Sequence, residues 1–284
     1  MNVRPGVSAR TSTVEVGSTT VTMYRGGAGA PIVYLHGLCD AHSALGAGEL
    51  TPFLSNVAEH GELLAPALPG YNGSTGLEGI QDIEDVVWHL ADVFDVLGLH
   101  EVDVVAHSLG GWFGAELALR RPDRVRRLVL IAPLGLHVQG IEVPSFFGAA
   151  APRGVGGMSE VRGLLFARPD DEVARSVLPD DMGPDAQVRW FGGLAGAARL
   201  GWKAPHFQSR KLSRHLPRMT VPTLLVRGEH DVLLPADVAR AWVEAIHGAR
   251  LVEVGDAGHC LPLERPDVAH EVLAFFSAPS GATG

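Results

Sequence analysis

The chain has 284 residues, of which 46% are hydrophobic and 19% are charged. This length suits one large core or one domain with a sizeable insertion, and the composition is that of a folded protein rather than a disordered one. The formal net charge of −9 argues against a nucleic-acid partner, which would require a basic surface.

The cysteines and the apolar runs indicate the cellular compartment in which the protein is expected to reside. Two cysteines, Cys39 and Cys260, are too few for a disulfide framework and are typical of a reducing compartment. The N-terminal residues lack the apolar core of a signal peptide, and no run approaches the roughly 20 apolar residues of a membrane-spanning helix. We therefore expect a cytoplasmic protein without a membrane partner, either a monomer or a homodimer, with loose termini over 1–13 and 277–284.

The first half of the chain alternates predicted strands and helices. β-Branched residues alternate over 14–23 around Gly17, which predicts an antiparallel hairpin. The short apolar run 31–35 is typical of a strand buried on both faces, and three further runs, 62–67, 102–106 and 125–132, are also predicted to be strands. The apolar spacing between these runs predicts three helices: 44–60, 82–97 and 109–120.

The alternation stops near residue 134 and resumes with a strand over 221–227, followed by a helix, a strand and a helix over 236–246, 250–254 and 266–276. This pattern predicts an α/β protein with a mostly parallel, doubly wound sheet of about eight strands. The segment between the two halves is too long for a simple connection. It is predicted to be an inserted helical cap over 134–214, on a core formed by 14–133 and 215–276.

The sharpest motif is the sequence AHSLGG over 106–111, in which Ser108 stands between a predicted strand and a predicted helix. A serine hydroxyl needs exposure and a positioned base before it can act as a nucleophile. A tight strand-to-helix turn supplies the exposure and tolerates only small residues two positions on either side. Those residues are Ala106 and Gly110, so the usual G-x-S-x-G is A-x-S-x-G here.

With these motifs the chain resembles the α/β-hydrolase superfamily over about 14–276. Four motifs occur in the family order: HG at 36–37, AHSLGG at 106–111, GEHD at 228–231 and GH at 258–259. The resemblance implies that Ser108 is the nucleophile, His259 the base and Asp231 the acid that orients the imidazole. Asp256 is a competing carboxylate, although it lies in what reads as an ordinary turn.

The resemblance further implies an oxyanion hole made by the backbone N–H groups of Leu38 and Leu109. Gly37 would let the backbone approach the substrate closely. His36 is expected to order this loop, and His107 is expected to pack beside the nucleophile.

The remaining predicted contacts with a small-molecule substrate come from residues near the active-site loops and from the cap. They are Cys39, Cys260, Phe146 and Trp190, in addition to Gly37. The cluster of His and Cys residues over 36–42 fits no standard zinc spacing, and no nucleotide fingerprint follows the first strand. We therefore expect neither a metal nor a cofactor.

These features favour a carboxylesterase-like serine hydrolase that cleaves a small or medium carboxylic ester through an acyl-enzyme on Ser108. Carbon–carbon bond hydrolysis of ring-cleavage (vinylogous diketone) products stays open, because 108–112 and 121–124 are similar to that family. Against it, Cys260 stands where those enzymes often place Trp, and the loop after His36 lacks extra glycines. Perhydrolysis uses the same triad and also stays open. A ligand-binding receptor on a degenerate hydrolase fold would show a broken triad, whereas all three members are present here.

Overall fold

The strands alternate with helices as predicted in the computed structural model, which describes residues 9–38, 50–150, 157–204 and 206–278. The strands of this described part are, in chain order, β1 (Arg10–Val16), β2 (Thr19–Gly26), β3 (Pro31–Leu35), β4 (Glu62–Pro66), β5 (Val102–His107), β6 (Val125–Ile131), β7 (Gly135–Leu136), β8 (Gln208–Ser209), β9 (Thr223–Gly228) and β10 (Arg250–Val254).

The strand order confirms a mostly parallel sheet of eight strands. It runs β1-β2-β4-β3-β5-β6-β9-β10, and only the pairings of β2 with β1 and with β4 are antiparallel. Strands β7 and β8 form a separate parallel pair. All six residues of β5 are buried, as expected for an interior strand of a sheet that is covered on both faces.

The helices of the described residues are α1 (Pro52–Ala58), α2 (Ile83–Val96), α3 (Leu109–Arg120), α4 (Phe146–Ala150), α5 (Gly157–Leu165), α6 (Glu172–Val177), α7 (Pro184–Gly201), α8 (Leu212–His215), α9 (Ala236–Ala245), α10 (Leu261–Glu264) and α11 (Ala269–Ser277). Helices α4 to α8 and the short strands β7 and β8 are the regular elements of the described part of the predicted cap, 134–214, and α8 ends one residue beyond it.

Local signals in the sequence fix the ends of several elements. Gly17 has a φ of +58° in the two-residue turn between β1 and β2, a conformation that glycine adopts without strain. Asp82 caps α2, because its carboxylate accepts the N–H groups of Glu84 and Asp85. Gly98, at a φ of +66°, ends the same helix.

Some predicted boundaries differ from the observed ones. Residues 10–13, expected to be loose, pair with β2, and 277 belongs to α11. The last helix begins at 269, because Pro266 starts a separate 3-10 turn. Residues 44–49 of the predicted helix 44–60 lie outside the described residues, and α1 covers 52–58 of the remainder.

The sheet brings the predicted functional segments to one edge. The parallel strands β3, β5, β9 and β10 end at the same side of the sheet. Leu38, Ser108, Asp231 and His259 follow these strands within a few residues. An open parallel sheet typically binds its ligands at this carboxyl edge.

Candidate active site

Ser108 occupies a strained turn between β5 and α3. Its φ of +55° and ψ of −115° lie where side chains are rarely found, and its N–H donates to the carbonyl of Ile131 at 2.9 Å. This hydrogen bond ties the strained residue to the neighbouring strand β6. The turn therefore has the strand–serine–helix geometry that presents a side chain above a sheet edge.

The small residues beside Ser108 let α3 approach the sheet closely. A Cβ atom on Gly110 would lie 2.3 Å from the carbonyl oxygen of Leu35 and 2.6 Å from that of His36. On the other side, the Cβ of Ala106 faces Gly114, where an added Cβ would lie only 2.9 Å away. The methyl group that replaces the usual glycine at 106 is thus accommodated by a glycine one helical turn further on.

Ser108, His259 and Asp231 form one continuous hydrogen-bonded chain. The Oγ of Ser108 lies 2.8 Å from Nε2 of His259, and Nδ1 of His259 lies 2.9 Å from Oδ2 of Asp231. Because a carboxylate only accepts, Nδ1 carries the imidazole proton and Nε2 is left to accept from the serine hydroxyl. The three residues are 5%, 2% and 3% exposed, so this chain is shielded from water.

Asp231 is itself held by the loop that follows it. Its Oδ1 accepts the N–H groups of Leu233 at 2.8 Å and of Leu234 at 2.9 Å. These bonds stabilise the ionised carboxylate and fix its orientation toward His259. Asp256, the competing carboxylate, is exposed in a turn at a φ of +55°.

The loop that carries His259 is anchored on three sides. The carbonyl of His259 accepts from Nε2 of His107 at 2.9 Å, so His107 does more than pack beside the nucleophile. The N–H of Gly258 donates to Oε2 of Glu264 at 2.8 Å, and that of Cys260 donates to the carbonyl of Leu165 at 2.8 Å.

The backbone near the two predicted oxyanion donors is also ordered. Leu109 is the first residue of α3, where N–H groups have no partner within the helix. Nδ1 of His36 donates to the carbonyl of Gly37 at 2.7 Å, and its Nε2 accepts from the N–H of Leu68 at 2.9 Å. His36 therefore links the loop before Leu38 to the end of β4.

Ser108 and His259 line a pocket together with Leu38 and Leu109. Most of the other lining side chains are apolar, among them Leu136, Val143, Phe146, Phe207, Leu234 and Val238. Among the described residues, no Arg, Lys, Asp or Glu lines it.

Two polar side chains from the segment 134–214 also line the pocket, His206 and Gln208. The Oε1 atom of Gln208 lies 2.8 Å from Nδ1 of His137, which follows β7. This bond fixes the amide of Gln208 at the wall of an otherwise apolar pocket.

The residues predicted to contact the substrate lie at different distances from the pocket. Phe146 lines the pocket, whereas Gly37, Trp190 and Cys260 do not. Trp190 is buried against Phe146, with ring centroids 6.4 Å apart, and Cys260 is fully buried. Cys39 lies outside the described residues.

Several residues that line the pocket were not predicted from the sequence. Leu233 and Leu234 lie two and three residues after Asp231, so their position in the chain was a usable signal. Phe207 and Gln208 gave no such signal in the sequence. They reach the pocket through the pairing of β7 with β8, in which Gln208 pairs with Gly135, 73 residues earlier in the chain.

The described residues contain no group of three or more His, Cys, Asp or Glu side chains arranged to hold a metal ion. Within the same part of the chain, no helix is long and apolar enough to cross a membrane.

The chain belongs to the α/β-hydrolase-fold family, whose family model matches residues 30–266. It is 29% identical over 279 residues to a 2-hydroxymuconate semialdehyde hydrolase from a Pseudomonas species, covering 92% of this chain and 91% of the relative. It is 26% identical over 272 residues to a 2-hydroxy-6-oxo-2,4-heptadienoate hydrolase from Pseudomonas putida, covering 89% and 90%. The crystal structure of 2-hydroxy-6-oxo-6-phenylhexa-2,4-dienoate hydrolase from a Rhodococcus species superposes with a TM-score of 0.76 at 21% identity, covering 96% of this chain and all of the other.

Proposed function

We propose that this hydrolase cleaves a neutral carboxylic ester of small or medium size through an acyl-enzyme on Ser108. One observation carries the proposal: the hydrogen-bonded chain of Ser108, His259 and Asp231 opens into an apolar pocket. A serine beside a correctly oriented neutral imidazole is the arrangement that acyl transfer requires.

In the first half-reaction Nε2 of His259 takes the hydroxyl proton of Ser108 as Oγ attacks the ester carbonyl carbon. The carbonyl π-bond opens and its oxygen becomes an oxyanion. The tetrahedral intermediate collapses, the bond from carbon to the alcohol oxygen breaks, and His259 protonates the departing alcohol. Asp231 stays ionised and stabilises the imidazolium that exists between the two proton transfers.

In the second half-reaction water replaces the alcohol. His259 removes a proton from the water as its oxygen attacks the acyl carbon, and the proton then returns to Oγ as the carboxylic acid leaves. The backbone N–H groups of Leu38 and Leu109 would hold the oxyanion in both steps. Each donor of this kind typically contributes about 2.7–4 kcal/mol to the barrier.

The charge and polarity of the pocket support a neutral substrate with an apolar acyl group. Its lining is aliphatic and aromatic around the Ser108 hydroxyl, and among the described residues it contains no charged side chain. A carboxylate moved into such surroundings loses hydration without gaining a cation. The residues that close the pocket, Phe146 and Phe207, come from the segment 134–214, which supports the assignment of this segment as a cap.

A second candidate is carbon–carbon bond hydrolysis, which the two curated relatives favour by their names. Their substrates are ring-cleavage products, and a heptadienoate carries a carboxylate. Among the described residues the pocket offers no cation for that group, which favours the ester as substrate. Both reactions use the same three side chains and differ in the bond that breaks.

The experiment compares wild type with Ser108→Ala on p-nitrophenyl esters of two to eight acyl carbons. We expect wild type to turn over and Ser108→Ala to lose about 10³-fold or more in kcat/KM, because no other hydroxyl is hydrogen-bonded to His259 among the described residues. Ser18→Ala is the matched control, since Ser18 is exposed in the turn between β1 and β2. Equal rates for wild type and Ser108→Ala would refute acyl transfer on Ser108.

The same two proteins separate the two candidate reactions. A vinylogous diketone acid is offered to each, and the loss of its chromophore is followed. Turnover of the diketone acid at a kcat/KM above that of every ester would favour carbon–carbon hydrolysis and would contradict the ester proposal. Slow or absent turnover of the diketone acid beside fast ester hydrolysis would support it.

A further inference from the structure

Glu264 is a half-buried carboxylate near His259 that does not line the pocket. Its two oxygen atoms accept hydrogen bonds from two separate parts of the chain. Oε2 accepts the N–H of Gly258 at 2.8 Å, and Oε1 accepts the N–H of Ala167 at 2.7 Å. One carboxylate thus joins the residue before His259 to the turn that follows α5.

These two segments are in direct contact. A Cβ atom on Gly258 would lie 2.6 Å from the nitrogen of Ala167 and 2.8 Å from the carbonyl carbon of Phe166. The N–H of Cys260 donates to the carbonyl of Leu165 at 2.8 Å, on the other side of His259. The backbone of His259 is therefore clamped against 165–167 at the residue before it and at the residue after it.

An ionised carboxylate at Glu264 does not increase the stability of the fold, as the direction of its pKa shift shows. Burial raises the pKa of Glu264, and this outweighs the hydrogen bonds from Gly258 and Ala167, which lower it, as does the charge of Arg168, while Asp231 raises it further. A carboxyl whose pKa is raised by folding favours the folded state most when it is protonated, and this contribution is lost as the pH rises through the raised pKa. Above its raised pKa, the charge on Glu264 therefore works against folding.

We infer that Glu264 is a positioning residue whose ionised carboxylate holds Gly258, and through it the imidazole of His259, in line with Ser108 Oγ. This inference rests on the proposed function. Two backbone N–H groups converge on the side chain, so both of its oxygens must accept. A carboxylate meets this requirement, whereas an amide presents one acceptor and one donor, and the donor would face an N–H group. A loss of the clamp moves Nε2 relative to Oγ, and a misplacement of about 1 Å costs on the order of 10²-fold in rate.

The test is Glu264→Gln, with Glu271→Gln as the matched control, because Glu271 is an exposed carboxylate on α11. On the best p-nitrophenyl ester we expect Glu264→Gln to lower kcat about 10- to 100-fold. KM should change less than about twofold, since Glu264 does not line the pocket. The midpoint of thermal unfolding at neutral pH should fall far less than the loss in kcat would suggest, because the substitution also removes a half-buried carboxylate. Glu271→Gln should match wild type in all three measurements.

The pH profile provides a readout that a purely structural role would not move. Protonation of Glu264 removes one of its two acceptors, so wild-type kcat falls as the pH drops through the raised pKa of this group. In Glu264→Gln this loss is absent, so the ratio of kcat for wild type to kcat for Glu264→Gln should fall toward one as the pH drops. The range is limited to pH values at which far-UV circular dichroism is unchanged.

The outcomes are distinguishable from a failure of the proposed function. If Ser108→Ala hydrolyses the ester as fast as wild type, the proposed function fails and the inference about Glu264 fails with it. If Ser108→Ala is inactive but Glu264→Gln matches Glu271→Gln in kcat, only the inference about Glu264 is overturned. Should Glu264→Gln not fold, Glu264→Asp decides, because it keeps the carboxylate but draws it back by one methylene from the N–H groups of Gly258 and Ala167; a kcat equal to that of Glu271→Gln would then overturn the inference.

Discussion

Gly110 lets helix α3 pack closely against the end of β3, just before the loop that carries Leu38, one of the two predicted oxyanion donors. A Cβ atom at this position would lie 2.3 Å from the backbone carbonyl oxygen of Leu35. Backbone cannot rotate away as a flexible side chain can, so the helix or the loop must shift. We expect Gly110→Ala to lower kcat/KM for esters by at least about 10²-fold, because the N–H groups of Leu38 and Leu109 no longer converge.

Steady-state kinetics with urea unfolding checks this prediction, and Gly163→Ala is its control. Gly163 lies in α5 and has nothing within 4 Å of an added Cβ. Alanine there should raise the free energy of unfolding by about 0.5–1 kcal/mol and leave kcat unchanged. If Gly110→Ala kept wild-type kcat/KM, the hole would not depend on the close approach of α3.

The residue scale also shows what one sequence can and cannot predict. Ser108, Asp231 and His259 were predicted because each follows a strand in a recognisable motif, and parallel strands deliver such positions to one edge. The alanine at 106 departs from the usual glycine, and its compensation by Gly114 became visible only in the structure. This pairing depends on how α3 packs on β5, which motif spacing does not encode.

At the scale of elements, the capping box of α2 is the clearest local signal. The carboxylate of Asp82 accepts two N–H groups of the first turn, and Asp85 reaches back to the N–H of Asp82. We expect Asp82→Ala to lower the free energy of unfolding by about 1 kcal/mol, because two donors lose their acceptor. Since α2 contributes no residue to the pocket beside Ser108, kcat should not change.

Urea unfolding followed by circular dichroism measures this loss. Asp92→Ala is the control, because Asp92 is exposed within α2 and alanine is favoured there. Equal unfolding midpoints for the two variants would mean that α2 is held by its packing alone and not by its cap.

The elements differ in how far the sequence specified them. The strands β3, β5 and β6 were predicted from short runs that are rich in apolar residues, because most side chains of a strand buried on both faces are apolar. The strands β7 and β8 were not predicted, since each has two residues and their pairing is non-local. This pairing places Phe207 and Gln208 at the pocket, so sequence reasoning did not reach these two residues of its wall.

At the scale of the whole molecule, two electrostatic effects act on an anionic substrate. The net charge of −9 repels it over long distances, and the pocket wall gives its charge no partner among the described residues. We expect a p-nitrophenyl half-ester with a terminal carboxylate to have a kcat/KM at least about 10²-fold below that of a neutral ester of equal length. A carboxylate that loses its hydration without a cation costs several kcal/mol, and about 1.4 kcal/mol corresponds to a factor of ten.

Salt separates the two effects. The Debye length falls from about 30 Å at 0.01 M to about 8 Å at 0.15 M ionic strength, so salt screens the long-range repulsion but not the loss of hydration inside the pocket. The ratio of kcat/KM for the neutral ester to that for the half-ester should therefore fall only in part between these two concentrations, while the neutral ester is unaffected. A ratio that falls to one in salt would assign the discrimination to net charge alone. A half-ester preferred at both concentrations would indicate a cation in the pocket and would favour the carboxylate-bearing ring-cleavage products as substrates.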